Sequence, residues 1–435
     1  MTQLDLELVQ AAFATILQSG LAQFPQAVRL EETPVFETDA DGHRMFTGRP
    51  RLSWGLFVNL TLEATKESPP VSTLLEAVKS SLHDERAPRE AQSLVAGFVS
   101  QVLADVKDPE NFTVGSLDAV IEATFHDLEA LLARAPFTSR HTYAITGILP
   151  DGPVEIGPGM TLAPVDEDTR RAIWAKIGSS PNQALADTTI HAIGSVSAEL
   201  RLEASMTIDD LSPLARSAYP FMPVMDALRL VSPGAVYWLG SFTVFTPFHR
   251  FLVRLFPTGT MRPGHLHERS FSAAPIPLRP ADSEVLARVY ADLSQHTARL
   301  SESETAAFDV ALQRFRDSYE RHSDNDRILD SWIALEALFL AESETEGVSY
   351  RLGMRIARFV GEDPEERRRL FSQVHRSYGL RSRLAHGPTA RARRKYEPIS
   401  ERAEEILDVL RRATCRWIQA DARRSTADLD RWLLD

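Results

Sequence analysis

"DRILDSWIALEALFLAE", residues 326–342, reads as one helix with a flaw in its apolar face. At 100° per residue, Ile328, Trp332, Leu335 and Phe339 fall within about 60° of one another. Glu336 lies inside that apolar arc, between Trp332 and Leu329, whereas Asp330 points to the opposite side. Burying a bare carboxylate costs several kcal/mol, so Glu336 is predicted to be buried against a cation. Arg381 is the expected partner. Two readings stand: a salt bridge that only braces the helices, or a carboxylate that orients an Arg with work to do.

Outward from this helix, the C-terminal sequence punctuates itself. The first helix is predicted over about 325–341, and a second, about 348–360, stops at Gly361. A third starts at Pro364, a residue suited to a first helical turn, and stops at Gly387-Pro388. The fourth starts near Pro398 and carries Ile399, Ala403, Ile406, Leu410 and Trp417 along one face. Short connections between successive helices predict an antiparallel four-helix bundle over 324–425. Connecting helices precede it at 281–323, with Val285, Val289 and Leu293 in one stripe and Phe308, Leu312, Phe315 and Tyr319 in the next.

The fold class expected for the whole chain is mainly α with an α+β middle region. Residues 1–140 read as mostly helical, with one strand-like interruption, GLFVNLTLE (55–63). In 141–280, HTYAITGI, the turn PDGP and VEIGPGMTL read as a hairpin, and SVSAELRLEAS and VYWLGSFTVF as further strands. Helical pieces are expected at about 167–176 and 209–229, and the Pro- and Gly-rich 257–280 reads as a linker.

Composition narrows the function classes. The 435 residues are 43% hydrophobic and 25% charged, as in ordinary globular proteins. A net charge of −12 argues against nucleic-acid binding by the whole surface but leaves room for a local basic patch. Cys415 is the only cysteine, which excludes an intrachain disulfide and a multi-Cys zinc site. The start, MTQLDLELVQAAF, is not of signal-peptide type, and no apolar run approaches the roughly 20 residues of a membrane span. A cytoplasmic protein without membrane contact is expected. Gly-x-Ser-x-Gly, phosphate-loop, dinucleotide and His-Glu-x-x-His motifs are absent.

The basic patch is "SYGLRSRLAHGPTARARRKYEP", residues 377–398. From Arg376 to Lys395 there are seven cations (Arg376, Arg381, Arg383, Arg391, Arg393, Arg394 and Lys395) and no carboxylate. Arg381 and His386 have four residues between them, but Arg262/His267, Arg316/His322 and Arg369/His375 have comparable spacing. Context separates them, because only His386 precedes a helix-stopping Gly-Pro inside the basic stretch. A five-residue offset puts two helical side chains about 140° apart, so they converge only if the last turn opens. The plainer reading is an Arg and a His that offset the helix dipole. His265 and His267, in GHLH, could ligate a metal, but no Asp or Cys cluster completes the set, and no metal or other cofactor is expected.

With these residues in place, 325–420 resembles the HEPN superfamily, in particular its Apea-like branch. The matching text is "DRILDSWIALEALFLAE", "SYRLGMRIARFVG" and "SYGLRSRLAHG". The resemblance implies a dimeric four-helix bundle and, for many members, a metal-independent endoribonuclease with an Arg-x(4–6)-His motif. Carried over, the catalytic pair is Arg381 and His386, with Ser382 as the polar residue after the Arg and Tyr378 and Gly387 at positions common in this branch; Glu336 supports them by the helix-face reading above. Arg383, Arg391, Arg393, Arg394 and Lys395 would then attract the RNA backbone. The family reading further implies a homodimer through the bundle, a defence or toxin role, and an N-terminal region that senses a trigger or partner. The alternative is a non-catalytic HEPN module that dimerises and binds RNA or nucleotide.

Overall fold

A computed structural model describes residues 4–38, 44–82, 87–104, 106, 114–167, 169–170, 195–210, 221–232, 236–252, 259–261, 275–341, 344, 346–386, 399–419 and 430. The first elements along the chain are α1 (Leu6–Gln23), β1 (Arg29–Thr38), β2 (Arg44–Ser53), α2 (Gly55–Thr65), α3 (Pro69–Ser81), α4 (Ala87–Leu103) and α5 (Asp118–Leu132). Next come β3 (Phe137–Thr146), β4 (Ile148–Pro150), β5 (Val154–Gly157), β6 (Met160–Pro164), β7 (Val196–Met206), α6 (Phe221–Val231), β8 (Tyr237–Thr246), β9 (Gly259–Met261) and β10 (Ile276–Leu278). The last are α7 (Pro280–Ser294), α8 (Glu302–Glu320), α9 (Asp324–Phe339), α10 (Val348–Val360), α11 (Pro364–His386) and α12 (Ile399–Ile418). The chain is mainly α with strands through its middle region. No helix among the described residues is long and apolar enough to cross a membrane.

Two compact units divide the chain: Met1–Ala144 with Gly159–Tyr219 and Leu239–Pro263, and Ile145–Pro158 with Pro220–Trp238 and Gly264–Asp435. In the first, the Asp5 carboxylate caps α1 by accepting the Glu7 N–H at 3.1 Å. Val9, Phe13, Ile16 and Leu17 of α1 are buried in a core shared with α2 to α5. Gly20 lets α1 and α2 touch, since a Cβ there would lie 2.4 Å from the Phe57 ring.

GLFVNLTLE is helical, a correction to the expected strand. Phe57, Val58, Thr61, Leu62 and Thr65 are the buried residues of α2, and their spacing is that of a helix face. Packing against α1 and α4 overrides the local alternation. The first 140 residues also hold an antiparallel hairpin that was not expected, β1 with β2, registering Arg29 with Ser53 and Thr38 with Arg44. HTYAITGI does not form a hairpin with VEIGPGMTL. It lies mostly in β3, whose sheet neighbours are β7 and β8, and β7 continues to β6 with Leu200 opposite Leu162.

In the second unit, β4 pairs in parallel with β10, Ile148 opposite Ile276. Within 257–280, read as a linker, β9 and β10 are strands. Helix α7 packs on α6 and β5 through Leu286, Val289 and Leu293; Val285 of the expected stripe is exposed. Helix α8, opened by a Ser301–Glu304 capping box, packs along α9. Helices α9 to α12 pack on one another. Phe339, Phe359 and Trp417 from three of them meet with ring centroids 5.2–5.9 Å apart. Because α8 covers one side of α9, the face opposite Glu336 is not open to solvent. Asp330 is buried there and accepts from Arg314 Nη1 at 2.9 Å and Arg321 Nε at 2.8 Å.

Candidate functional site

Trp332 and Glu336 lie one turn apart on α9, and Tyr378 and Arg381 lie one turn apart on α11, so each pair shares a helix face. The two faces meet. The fully buried Trp332 donates its indole N–H to Ser377 Oγ at 3.2 Å and sets its ring edge-on to Tyr378, centroids 5.0 Å apart. Arg381 Nη2 donates to Glu336 Oε2 at 3.0 Å, and its guanidinium carbon lies 5.8 Å from the Tyr378 ring centre. Glu336 therefore has the predicted partner, but it is half-buried rather than buried.

That correction affects the energetics. With about a quarter of the Arg381 side chain and a fifth of Glu336 exposed, the pair lies between a surface ion pair, worth at most about 1 kcal/mol, and a buried one. Arg381 Nε is itself buried and makes no hydrogen bond among the described residues. Burial, with the Glu336 carboxylate as a further cause, pushes the Tyr378 phenol up and keeps it protonated near neutral pH. The site thus presents a guanidinium positioned by Glu336, beside a neutral phenol.

Helix α11 stays helical for five residues beyond Arg381 to His386, about 7.5 Å along its axis and about 140° around it, so the turn does not open before His386 and the two positions of one chain stay on different faces. Ser382 and Arg383 are exposed on this last stretch. The His386 side chain lies outside the described residues, as do Gly387-Pro388, Arg391, Arg393, Arg394 and Lys395, and His265 and His267 of GHLH. Two of the other Arg/His spacings are occupied differently. Arg316 makes a bidentate pair with the buried Asp226 (2.6–3.0 Å), and Arg369 pairs with Glu366 while His375 bonds Ser349.

No family model, curated protein or solved structure matches the chain. Sequence reasoning found Glu336, Tyr378 and Arg381, which the structure brings together. It missed Ser377, whose hydroxyl fixes Trp332 and so the spacing of the two helices; a lone Ser in a basic stretch carries no signal of its own. It also missed the buried Arg355 of α10, which donates to Glu344, Asp430 and the Phe339 carbonyl. The only hint was a cation within an otherwise apolar helix face.

Removing the Glu336 carboxylate tests whether it orients Arg381. If Arg381 serves an RNA-cleaving site, Glu336→Ala is expected to lower that cleavage by about 10- to 100-fold, the usual effect of losing a group that orients a functional side chain. Glu336→Gln, which can still accept a hydrogen bond, should lose less. Equal activity in all three proteins, measured at saturating RNA, would reduce the pair to a brace between α9 and α11.

Proposed function

We propose that this chain is a metal-independent endoribonuclease of the HEPN type, acting as a homodimer through a C-terminal bundle of α9 to α12. The observation that carries the reading is Arg381, held by Glu336 and Tyr378 on the helix that ends at His386. RNA supplies its own nucleophile. The 2′-OH attacks the adjacent phosphorus, the P–O5′ bond breaks, and the products are a 2′,3′-cyclic phosphate and a 5′-OH. One group must take the 2′-OH proton, another must protonate O5′, and positive charge must meet the phosphorane. Arg381 is suited to the last task, and one His386 to one proton transfer. Two chains about a twofold axis complete the set, which is the physical reason for a dimer. In this reading the N-terminal region senses a trigger or restrains the nuclease, as in a defence or toxin effector.

A non-catalytic module that grips RNA is the second reading, and the pairing of Arg381 with Glu336 favours it, because the cation is already partly neutralised. Fractionation by size in EDTA separates the two. Dimer at micromolar concentration, with cleavage of single-stranded RNA following the dimer fractions, is the expected result. Full activity in a monomer would contradict the composite site, and binding without cleavage in every fraction would leave the module.

A further inference from the structure

Tyr350 on α10 is 59% exposed, more than any other large apolar side chain among the described residues. A single exposed aromatic needs no explanation, but this one belongs to a stack. Its ring meets Phe371 edge-on at 5.6 Å, and Phe371 lies parallel to His375, 6° between planes and 5.9 Å between centroids. Ser349 Oγ and His375 Nδ1 are 3.0 Å apart, which fixes the imidazole plane. Gly353 seats the stack, because a Cβ there would lie 3.0 Å from the Phe371 ring. A glycine inside a helix costs about 1 kcal/mol relative to alanine, and here it lets α11 bring Phe371 against α10.

The surroundings of the stack favour a polyanion. From Arg367 to His386, α11 carries six Arg and no Asp or Glu, in a chain whose net charge is −12. Arg368 and Arg376 are exposed close in sequence to Phe371 and His375. Direction matters as well. Phe371, His375, Tyr378 and Ser382 are spaced by four, three and four residues and so share one face of α11. That face leads from the stack to the neighbour of Arg381, and from His375 to His386 is about 16 Å of helix. Open aromatic rings along a cationic track are the features that bind single-stranded nucleic acid with little sequence preference.

We propose that Tyr350, Phe371 and His375 form a base-stacking platform that holds single-stranded RNA beside the scissile phosphate. The substrate class is unpaired RNA, because paired bases do not offer their faces to a protein ring. The platform rests on the endoribonuclease reading for its purpose, but not for its test, which measures binding.

The test is fluorescence anisotropy of the full chain with labelled oligouridylate and with a ribose-phosphate oligomer of the same length that lacks bases. Tyr350→Ala and His375→Ala change exposed side chains, and circular dichroism should confirm their fold. Each is expected to weaken oligouridylate binding about 5- to 100-fold and to leave binding of the baseless oligomer unchanged. For cleavage, KM should rise while kcat holds. Unchanged oligouridylate affinity, or an equal loss on both probes, would overturn the platform. So would a shift of dimer mass with unaltered RNA affinity, since the stack would then cover a second copy of the chain. Should the base-dependent loss appear in a protein that never cleaves RNA, the platform stands and the nuclease reading falls.

Discussion

His386→Ala is expected to lose about 10²- to 10⁴-fold in RNA cleavage while RNA affinity stays nearly intact, as for removal of a proton-transfer group. Arg381→Ala should also lose activity, but with weaker binding. In the proposed mechanism it removes both a phosphate contact and the charge that stabilises the phosphorane. The two variants therefore differ in KM, and that contrast is harder to produce by general damage than a loss of rate. Mixing His386→Ala chains with wild-type chains should reduce activity per wild-type chain, because mixed dimers hold one imidazole. His267→Ala, in the GHLH segment, serves as the control and should cleave at the wild-type rate. Cleavage unchanged in His386→Ala would remove this residue from the mechanism.

Arg355→Ala is expected to have the largest effect on stability, about 3–5 kcal/mol, the usual result of removing one partner from a buried charged set. Arg355 is 1% exposed and holds Glu344 through both terminal nitrogens at 2.7 Å, the Phe339 carbonyl at 2.8 Å, and Asp430. Its loss leaves a shielded carboxylate and a helix-ending carbonyl without their donor. The same set gives a pH dependence with a definite sign. Hydrogen bonding to Arg355 holds the Glu344 carboxyl at about 2, below its ordinary 4.5. The folded value is the lower one, so the contribution of Glu344 is complete above about pH 4.5 and is lost as pH falls toward 2. Urea midpoints of wild type and Glu344→Gln should differ at pH 7 and converge near pH 2. A constant gap across that range would show that the carboxylate charge is not what stabilises the fold.

The C-terminal helices were legible because their ends carry explicit chemistry. Gly361 and Pro364 mark where α10 stops and α11 starts, and both boundaries stand as read. The α2 segment misled because Phe57, Val58 and Thr61 are strand formers locally, and only contact with α1 and α4 turns them into a helix face. The hairpin of β1 and β2 was hidden by Pro34 and Pro50, residues that argue against strands unless each strand is an edge. Within the site, Glu336 announced itself as a charge in an apolar arc. Asp330 did not, since its burial depends on α8, which a single helix pattern cannot reveal. The aromatic stack escaped notice for a similar reason: Phe371 and His375 are neighbours on α11, but Ser349 and Tyr350 of α10 reach them only when the two helices pack together.

The most direct measurement is the chemistry of the new 3′ ends when the purified full chain is incubated with single-stranded RNA in excess EDTA. The account predicts cleavage that leaves 2′,3′-cyclic phosphates and 5′-hydroxyls, abolished in Arg381→Ala and His386→Ala. Products ending in a 3′-hydroxyl, or cleavage that stops when metal is removed, would contradict it.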